Sequence, residues 1–236
     1  MKKQFQVTLA AVAVAAAIGC NNPADNVAEA QVNEPAKPAA PEPAPAAADT
    51  NAPAASTPAP AAAAKTYLIS PDSKIDFLAS KAIGGETPGS FKKFVGQLNV
   101  VDGKFSPEGS KVTIDVDSIT TEKEKLTAHL KNEDFFDVPK FPTATFEATK
   151  IESMPEDATK QNLTGNLTMH GVTKSITFPV SLSVTDEAIA LKSEFFINRY
   201  DFGMEYKGQA DNMIRKEVVL KLDVKAVPAA AEPKAL

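Results

Sequence analysis

The side chains with the greatest chemical capacity lie in one short segment of the sequence. His129 is followed by Asp134 and Asp137, and His170 is the only other histidine in the chain. An imidazole beside a carboxylate is a simple arrangement for general base catalysis, and the same residue types bind metal ions. Isolated histidines in turn-like contexts are more often structural, however, and aspartates there commonly accept hydrogen bonds from backbone amides. We therefore predict no catalytic site, metal site or cofactor, and an enzyme that modifies lipids through His129 and Asp134 stays an alternative.

A second reactive group, the thiol of Cys20, lies at the end of a secretory signal. Two lysines follow Met1, residues 7–18 form an apolar run too short to span a bilayer, and Ala17-Ile18-Gly19-Cys20 resembles a bacterial lipobox. In that type of signal the cysteine becomes the lipidated mature N-terminus, although Ala17 replaces the usual leucine. We expect residues 1–19 to be a lipoprotein signal peptide and Cys20 to be acylated. An ordinary secreted protein cleaved near Ala17 is the alternative.

The residues after Cys20 and the overall charge bear on location and partners. Asn21 and Asn22 leave no aspartate of the kind that retains some lipoproteins at the inner membrane. We therefore expect a periplasmic protein anchored in a membrane, with the outer membrane favoured. The net charge is −5 and the basic residues are scattered, which argues against nucleic-acid binding. Because the chain has a single cysteine, it contains no internal disulfide.

Composition divides the rest of the chain into a linker, a domain and a tail. Residues 20–65 are rich in Pro and Ala with scattered acids, so they bury too little apolar surface to fold. They are expected to form a disordered tether between the anchor and the domain, and a low-complexity tract without a length requirement is the alternative. The folded domain is expected over residues 66–227, and residues 228–236 form a second disordered Ala/Pro segment.

Within residues 66–227, apolar and polar side chains alternate along most of the sequence, which is typical of half-buried β-strands. In the strand that begins near residue 74, Ile75, Phe77 and Ala79 are expected to face inward. Asp76 and Ser80 of that strand are expected to face outward. The pattern predicts about eight strands, and antiparallel strands with one apolar face either pack as a sandwich or close into a barrel.

The strand pattern is clearly interrupted once. Residues 121–131 have helical spacing, and Phe135-Phe136, Pro139 and Pro142 follow them. Each proline fixes φ and removes an amide donor, so neither a helix nor a central strand continues through this stretch. The sequence therefore predicts a short helix that leads into an aromatic plug.

Several motifs, in this order and spacing, resemble the YceI-like family of bacterial periplasmic proteins over residues 67–226. The motifs are Ser73-Lys74-Ile75-Asp76-Phe77, Gly89-Ser90-Phe91, Phe94-Val95-Gly96, His129-Leu130, Asp134-Phe135-Phe136-Asp137, Phe141-Pro142, Gly165-Asn166-Leu167-Thr168-Met169, Gly171-Val172-Thr173-Lys174 and Arg199-Tyr200-Asp201-Phe202-Gly203. The resemblance implies an all-β fold, an eight-stranded antiparallel lipocalin-like barrel with one short helix. It also implies binding of a long isoprenoid or other amphiphilic chain, such as a polyprenyl phosphate or quinone tail, inside the barrel.

The inward faces and the plug supply the candidate ligand-binding residues. The apolar candidates are Phe77, Phe91, Phe94, Val112, Ile114, Val116, Phe135, Phe136, Phe141, Phe146, Leu167, Met169, Phe178 and Phe195. Lys174 and Arg199 are candidates for a ligand head group, because arginine makes bidentate contacts to phosphate. A surface or loop-stabilising ion pair is the alternative for each of these two cations.

The leading hypothesis is a cell-envelope lipoprotein that carries or sequesters a polyisoprenoid or similar lipid. The alternative is an envelope structural or stress protein whose barrel is filled by its own phenylalanine side chains. The expected partners are the lipid and the membrane that holds the anchor, and the sequence leaves a homodimer open.

Overall fold

The structure, a computed structural model, describes residues 22–35, 64–82, 85–157, 159–206 and 214–229. The predicted signal peptide, Cys20, residues 36–63 of the predicted tether and residues 230–236 lie outside the described residues. The strands are β1 (Ala28–Glu29), β2 (Gln31–Asn33), β3 (Ala64–Ile69), β4 (Lys74–Lys81), β5 (Glu86–Phe91), β6 (Phe94–Val101), β7 (Lys104–Asp115), β8 (Ile119–Thr121), β9 (Thr143–Ser153), β10 (Gln161–Met169), β11 (Val172–Val184), β12 (Ile189–Asn198) and β13 (Ile214–Pro228). The helix α1 spans Glu124–Leu130, and no helix in the described ranges is long and apolar enough to cross a membrane.

Eleven of these segments, β3 to β13, make eight long strands, because three strands are interrupted. A turn at Pro71-Asp72 separates β3 from β4, Lys92-Lys93 separates β5 from β6, and a 3-10 turn at Val116–Ser118 separates β7 from β8. Each long strand pairs antiparallel with the next, and β13 pairs with β12 on one side and with β3 and β4 on the other. The ring is therefore closed, which confirms the predicted eight-stranded antiparallel barrel with one helix.

Tight hairpins set the register of the barrel at two places. Asp102 and Gly103 have φ values of 51° and 73°, and His170 and Gly171 have values of 52° and 74°. Two successive residues with positive φ form the turn whose twist matches that of paired strands. Because side chains alternate between the two faces, these turns also fix which residues point into the barrel.

The two ends of the barrel are built differently. The connections β4–β5, β8–β9, β10–β11 and β12–β13 lie at one end, which we call the helix end because the connection from β8 to β9 contains α1. The connections β6–β7, β9–β10 and β11–β12 lie at the other end, which we call the turn end. At the turn end the hydroxyl of Tyr67, which is 1% exposed, donates to the carbonyl of Thr185 at 2.9 Å.

The structure differs from the expected tether in residues 22–35, which we call the N-terminal segment. Its strand β1 pairs parallel with β12 at Phe195 and Phe196, and its strand β2 pairs antiparallel with β11 at 175–177. The segment therefore lies between β11 and β12 as an additional wall strand, and Ala30 is only 2% exposed. The average composition of residues 20–65 hid a local signal, because Ala28, Ala30 and Val32 alternate with polar residues as in a strand.

Candidate functional site

A cavity of about 380 Å³ runs inside the barrel. Its wall comes from the inward faces of the long strands, and at the helix end it is bounded by α1 and the residues that follow the helix. The lining is almost entirely aliphatic and aromatic, with a small polar group of residues. Ligand pockets in proteins commonly have this size and this predominance of apolar side chains.

Most of the sequence-predicted apolar residues lie in the wall of this cavity. The eleven that line it are Phe77, Phe91, Val112, Ile114, Phe135, Phe136, Phe146, Leu167, Met169, Phe178 and Phe195. The structure brings them together around one space, and their contact with a ligand stays a prediction.

Phe94, Val116 and Phe141 were predicted in the same set but do not line the cavity. Val116 is 2% exposed in the 3-10 turn between β7 and β8, where its amide donates to the carbonyl of Pro142 at 2.9 Å. The ring of Phe141 packs edge-on against His170, with ring centroids 5.1 Å apart. Phe94 is half-buried where β6 begins, directly after the Lys92-Lys93 interruption. Each residue lies where the strand is interrupted or absent, so simple alternation does not hold there.

Two glycines leave room for phenylalanine rings of the barrel wall. A Cβ atom at Gly89 would be 2.1 Å from Cζ of Phe77, and one at Gly165 would be 2.4 Å from Cζ of Phe146. Real Cβ atoms do not approach other atoms this closely, so each ring occupies the space that a side chain on the neighbouring strand would need. Glycine in a strand often marks such a close approach.

The plug at the helix end is held by its own backbone hydrogen bonds. The amide of Phe136 donates to the carbonyl of Leu130 at 3.1 Å, and the amide of Phe141 donates to the carbonyl of Asp137 at 2.8 Å. Phe136 meets Phe91 of the wall in an edge-to-face contact with centroids 5.9 Å apart. Asp137 has a φ of 45°, and its carboxylate lies 2.7 Å from the ammonium of Lys140, which raises the pKa of that lysine. The predicted aromatic plug therefore has a defined conformation that presents Phe135 and Phe136 to the cavity.

The histidines have structural partners. Nε2 of His129 lies 3.2 Å from Oδ2 of Asp134, and the imidazole packs edge-on against Phe135 and Tyr206. Nδ1 of His170 lies 3.1 Å from the carbonyl oxygen of Phe202, which only accepts hydrogen bonds, so this nitrogen carries a proton. Within the described ranges, no group of three or more His, Cys, Asp or Glu side chains could hold a metal ion.

Arg199, a predicted head-group residue, lines the cavity, but its guanidinium is hydrogen-bonded to backbone carbonyl groups. Its side chain is 3% exposed, and its nitrogens donate to the carbonyl oxygens of Met204, Ile214 and Arg215. The guanidinium also lies over the ring of Tyr200, 4.6 Å from the centroid. Arg199 therefore joins the residues after β12 to the start of β13 through hydrogen bonds to the backbone, and its contact with a head group stays a prediction.

Lys174, the other predicted head-group residue, does not line the cavity. Its ammonium pairs with the carboxylate of Glu34 at 2.7 Å, which links β11 to the N-terminal segment. The sequence did not indicate Glu34 as the partner of Lys174, because residues 20–65 were expected to be disordered.

Four polar residues at the helix end line the cavity although the sequence did not predict them as site residues. They are Ser80, Lys81, Thr87 and Lys123. Ser80 was expected to face outward, but it is 4% exposed and lies in the cavity wall beside Ala79. The pairing of β4 with β13 shifts register between Ile214 and Val218, opposite Ser80, and regular alternation does not hold at such an irregularity.

Comparison with known proteins places this barrel among proteins of the same architecture. BcnA of Burkholderia cenocepacia superimposes with a TM-score of 0.57 at 26% identity, covering 67% of this chain and 99% of BcnA. The YceI protein of Campylobacter jejuni superimposes with a TM-score of 0.53 at 26% identity, covering 61% of this chain and 85% of that protein. A polyisoprenoid binding domain from Saccharophagus degradans has the same fold, with a TM-score of 0.56 at 16% identity over 70% of this chain and 99% of that domain.

Sequence relatives agree with the structural neighbours. A UPF0312 protein of Pseudomonas aeruginosa is 38% identical over 94 residues, which cover 40% of this chain and 48% of that protein. The chain thus spans about half the length of this relative and of a second UPF0312 protein of the same species. The YceI-like domain profile matches residues 67–226, which form more than half of the sequence. The chain therefore belongs to the YceI-like family.

Proposed function

We propose that the barrel binds the apolar chain of a polyisoprenoid or a similar long-chain lipid and carries or sequesters it in the cell envelope. The observation that supports this most directly is the apolar cavity of about 380 Å³, which the protein's own phenylalanines line but do not fill. A barrel packed shut by these rings, the structural alternative, would leave no such space. The polyisoprenoid binding named for the Saccharophagus degradans domain is consistent with a lipid in a barrel of this shape.

Burial alone accounts for affinity in such a site. Each CH₂ group removed from water contributes about 0.8 kcal/mol. Association costs about 4–15 kcal/mol in lost translational and rotational freedom. A chain of about 20 carbons therefore exceeds that cost, whereas a chain of a few carbons does not. The site consequently selects long apolar chains without requiring a specific polar contact.

The decisive experiment combines native mass spectrometry with a cavity-filling variant. Protein purified from its own envelope fraction is expected to carry a lipid of defined mass that denaturing extraction releases. Leu167 is 8% exposed in the wall, so Leu167→Trp places an indole in the cavity and is expected to abolish binding of a long-chain prenol. Val95→Trp, at a position 70% exposed on β6, is the matched control and should bind normally.

Thermal unfolding must show that both tryptophan variants fold, because overpacking a core typically costs 1–3 kcal/mol. A folded Leu167→Trp protein with unchanged affinity would contradict a ligand inside the barrel. A lipid-free native mass together with no binding of any long-chain prenol would favour the structural alternative.

The proposal includes a lipid anchor on Cys20. Only Asn21 separates Cys20 from the N-terminal segment in the barrel wall, so an acylated Cys20 would hold the barrel close to the membrane surface. We expect the membrane-extracted protein to have the mass of the mature chain plus acyl groups, and Cys20→Ser to appear in the soluble periplasmic fraction. A mature mass without added lipid would refute the anchor and leave the lipid-binding proposal unaffected.

A further inference from the structure

One stretch of the barrel wall is closed by a segment that lies outside the eight long strands. β11 and β12 pair with each other only near the turn end, where the last pair is Ser181 with Lys192. From there toward the helix end, residues 28–33 lie between the two strands. We call the gap that these residues fill the slot. A strand of this length extends over about 20 Å, so the slot runs along a large part of the wall.

Residues on both sides of the slot line the cavity. They are Ile176 and Phe178 of β11, and Phe195 and Ile197 of β12. If the register of β11 with β12 continued past their last pair, Phe178 would lie opposite Phe195, and the two rings do stack with centroids 4.1 Å apart. The rings therefore bridge the slot on the cavity side, while the N-terminal segment fills the gap between the two backbones.

The contacts that hold the N-terminal segment in the slot are weak. Ala30 is buried and Val32 is half-buried, and both side chains are small, so they bury little apolar surface. The ion pair of Lys174 with Glu34 lies at the end of the segment, and the carboxylate is 86% exposed, so the pair contributes little. Elements with so little buried apolar surface open at a lower free energy than the rest of a sheet.

The two ends of the cavity are held by hydrogen bonds within the barrel. At the helix end the amide of Phe136 donates to the carbonyl of Leu130 at 3.1 Å. At the turn end the hydroxyl of Tyr67 donates to the carbonyl of Thr185 at 2.9 Å. Opening either end breaks contacts of this kind, whereas emptying the slot leaves the pairing of the eight long strands intact. The slot is therefore the part of the wall that opens with the least disruption.

We infer that the slot is the route by which the apolar chain of the lipid enters and leaves the cavity, and that residues 28–33 close it as a removable strand. The inference rests on the proposed function and adds the path of the ligand. With the strand removed, the backbones of β11 and β12 would lie about 10 Å apart, twice the spacing of paired strands. A long chain could then enter sideways along its length, without passing the plug end-on.

A reversible cross-link across the slot tests this inference. Gln31 and Thr177 are directly opposite each other, and opposite Cα atoms of an antiparallel pair lie about 4.5–5.5 Å apart, which fits a disulfide. The variant combines Gln31→Cys and Thr177→Cys with Cys20→Ser, which removes the only native thiol. The matched control replaces Glu194 and Lys221 by cysteine in the same Cys20→Ser chain and cross-links β12 to β13, on the other side of β12.

The probe is cis-parinaric acid, a long-chain fatty acid whose fluorescence rises in apolar surroundings, and stopped-flow mixing follows its uptake and release. Oxidation of the slot cross-link should slow association and dissociation by about tenfold or more, because a closed gate limits both rates, and should change Kd by less than about threefold. Reduction should restore both rates. Oxidation of the control cross-link should change neither rate.

A variant that weakens the closing strand should have the opposite effect. Ala30→Asn puts an amide group at a position that is 2% exposed, so it should empty the slot more often and speed both uptake and release. Gln31→Asn, at an exposed position of the same strand, is the control and should leave both rates unchanged. Hydrogen exchange at residues 175–177 reports whether the strand has left the slot.

The outcomes separate this inference from the function on which it rests. Unchanged rates with the slot disulfide formed, as verified by mass, would overturn the slot as the route and leave lipid binding intact. Unchanged rates for an Ala30→Asn protein whose strand has left the slot would do the same. Failure of the wild-type protein to bind both cis-parinaric acid and a long-chain prenol would overturn the lipid-binding proposal instead.

Discussion

Strand β12 has two neighbours in the barrel. We call its pairing with β13 the first seam and its pairing with β11 the second seam, and the two differ in length. With β13 it pairs along ten residues, from Ile189 to Asn198. With β11 it pairs along four, from Ile189 to Lys192, after which the two strands separate. The N-terminal segment occupies the space between them, paired with β12 at Phe195 and Phe196 and with β11 at 175–177. One seam is thus a continuous ladder, and the other is completed by a segment from outside the domain.

Pro179 lies where the second seam changes from one partner to the other. It has no amide hydrogen, so it cannot donate to a neighbouring strand, and prolines in sheets occur where pairing stops. Its carbonyl instead accepts a hydrogen bond from the hydroxyl of Ser193 on β12. Pro179 therefore accounts for the separation of β11 from β12, and this proline is visible in the sequence. It does not indicate which segment fills the gap.

The difference implies unequal stability along the wall. The N-terminal segment contributes small side chains, Ala30 and Val32, whereas β13 contributes the buried Val219 and Val224 to the continuous seam. Elements with little buried apolar surface open first, with free energies well below that of global unfolding. We expect the amide of Ala30, which donates to the carbonyl of Phe196 at 2.9 Å, to exchange faster than the paired amides of β12 and β13.

The largest effect is expected from a residue that both seams share. Phe195 is 2% exposed, its ring stacks on Phe178 with centroids 4.1 Å apart, and it pairs with Ala28 on one side and Leu220 on the other. Phe195→Ala should lower the free energy of unfolding by about 3–5 kcal/mol, as large-to-small substitutions in cores do. Urea denaturation measures this.

The control for Phe195→Ala is Leu68→Ala, at a position 48% exposed, which should change stability by less than about 1 kcal/mol. If Phe195→Ala cost no more than this control, the stacked rings would contribute little, and the two seams would not share a common core residue.

A charge placed in the second seam should destabilise that seam and leave the first seam nearly unchanged. Ala30→Asp puts a carboxylate at a position that is 2% exposed, which costs about 1–3 kcal/mol or more without a partner. We expect the variant segment to leave the wall, so that the loss is limited to the free energy that holds the segment there. Hydrogen exchange should therefore increase at residues 175–177 and at Phe195 and Phe196, with little change along β13.

Gln31→Asp is the matched control, because Gln31 is exposed in the same segment and should tolerate the charge. If Ala30→Asp destabilised β13 as much as β11, the N-terminal segment would be part of one cooperative unit, and the contrast between the seams would be wrong.

The alternation predicted about eight strands well because it was long and regular, whereas the choice of a closed barrel over a sandwich came from the resemblance to the YceI-like family. The alternation failed where other interactions decide the geometry. Ser80 lines the cavity where the pairing of β4 and β13 shifts register, and that shift involves a strand more than 130 residues away. Val116 does not line the cavity because it lies in a 3-10 turn, and Phe141 does not line it because its ring packs against His170. Pattern alone contains no information about such long-range pairings.

The N-terminal segment shows a different limit. Average composition over residues 20–65 correctly reflects a tract rich in Pro and Ala, yet residues 28–33 alternate locally and fit a gap in a sheet. A short segment of small residues is too weak to form a strand alone, since its stability comes from the edges of β11 and β12. Only the pairing partners reveal it, so the same segment would be expected to lack regular structure in a protein without that gap.

The smallest effect is expected at the turn end of the barrel, where an ion pair links the turn between β11 and β12 to β3. The carboxylate of Asp186 lies 2.6 Å from the ammonium of Lys65, and the hydrogen bond and attraction between them lower the pKa of Asp186 from its ordinary 3.8 and raise that of Lys65 from 10.5. The stabilisation is therefore present between these two values. It is lost as the pH falls through the lowered pKa of Asp186, and again as the pH rises through the raised pKa of Lys65.

Both side chains of this pair are exposed, so its contribution to stability is small and is screened by salt. NMR titration of the Asp186 carboxyl carbon should give a midpoint below 3.8, and Lys65→Met should return it to the ordinary value. Lys192→Met, which removes an ammonium paired with Asp223 instead, should leave the Asp186 midpoint unchanged. A midpoint for Asp186 that did not respond to Lys65→Met would show that the pair does not hold this turn against β3 in solution, so that the second seam would depend on backbone pairing and the Tyr67 hydroxyl alone at the turn end.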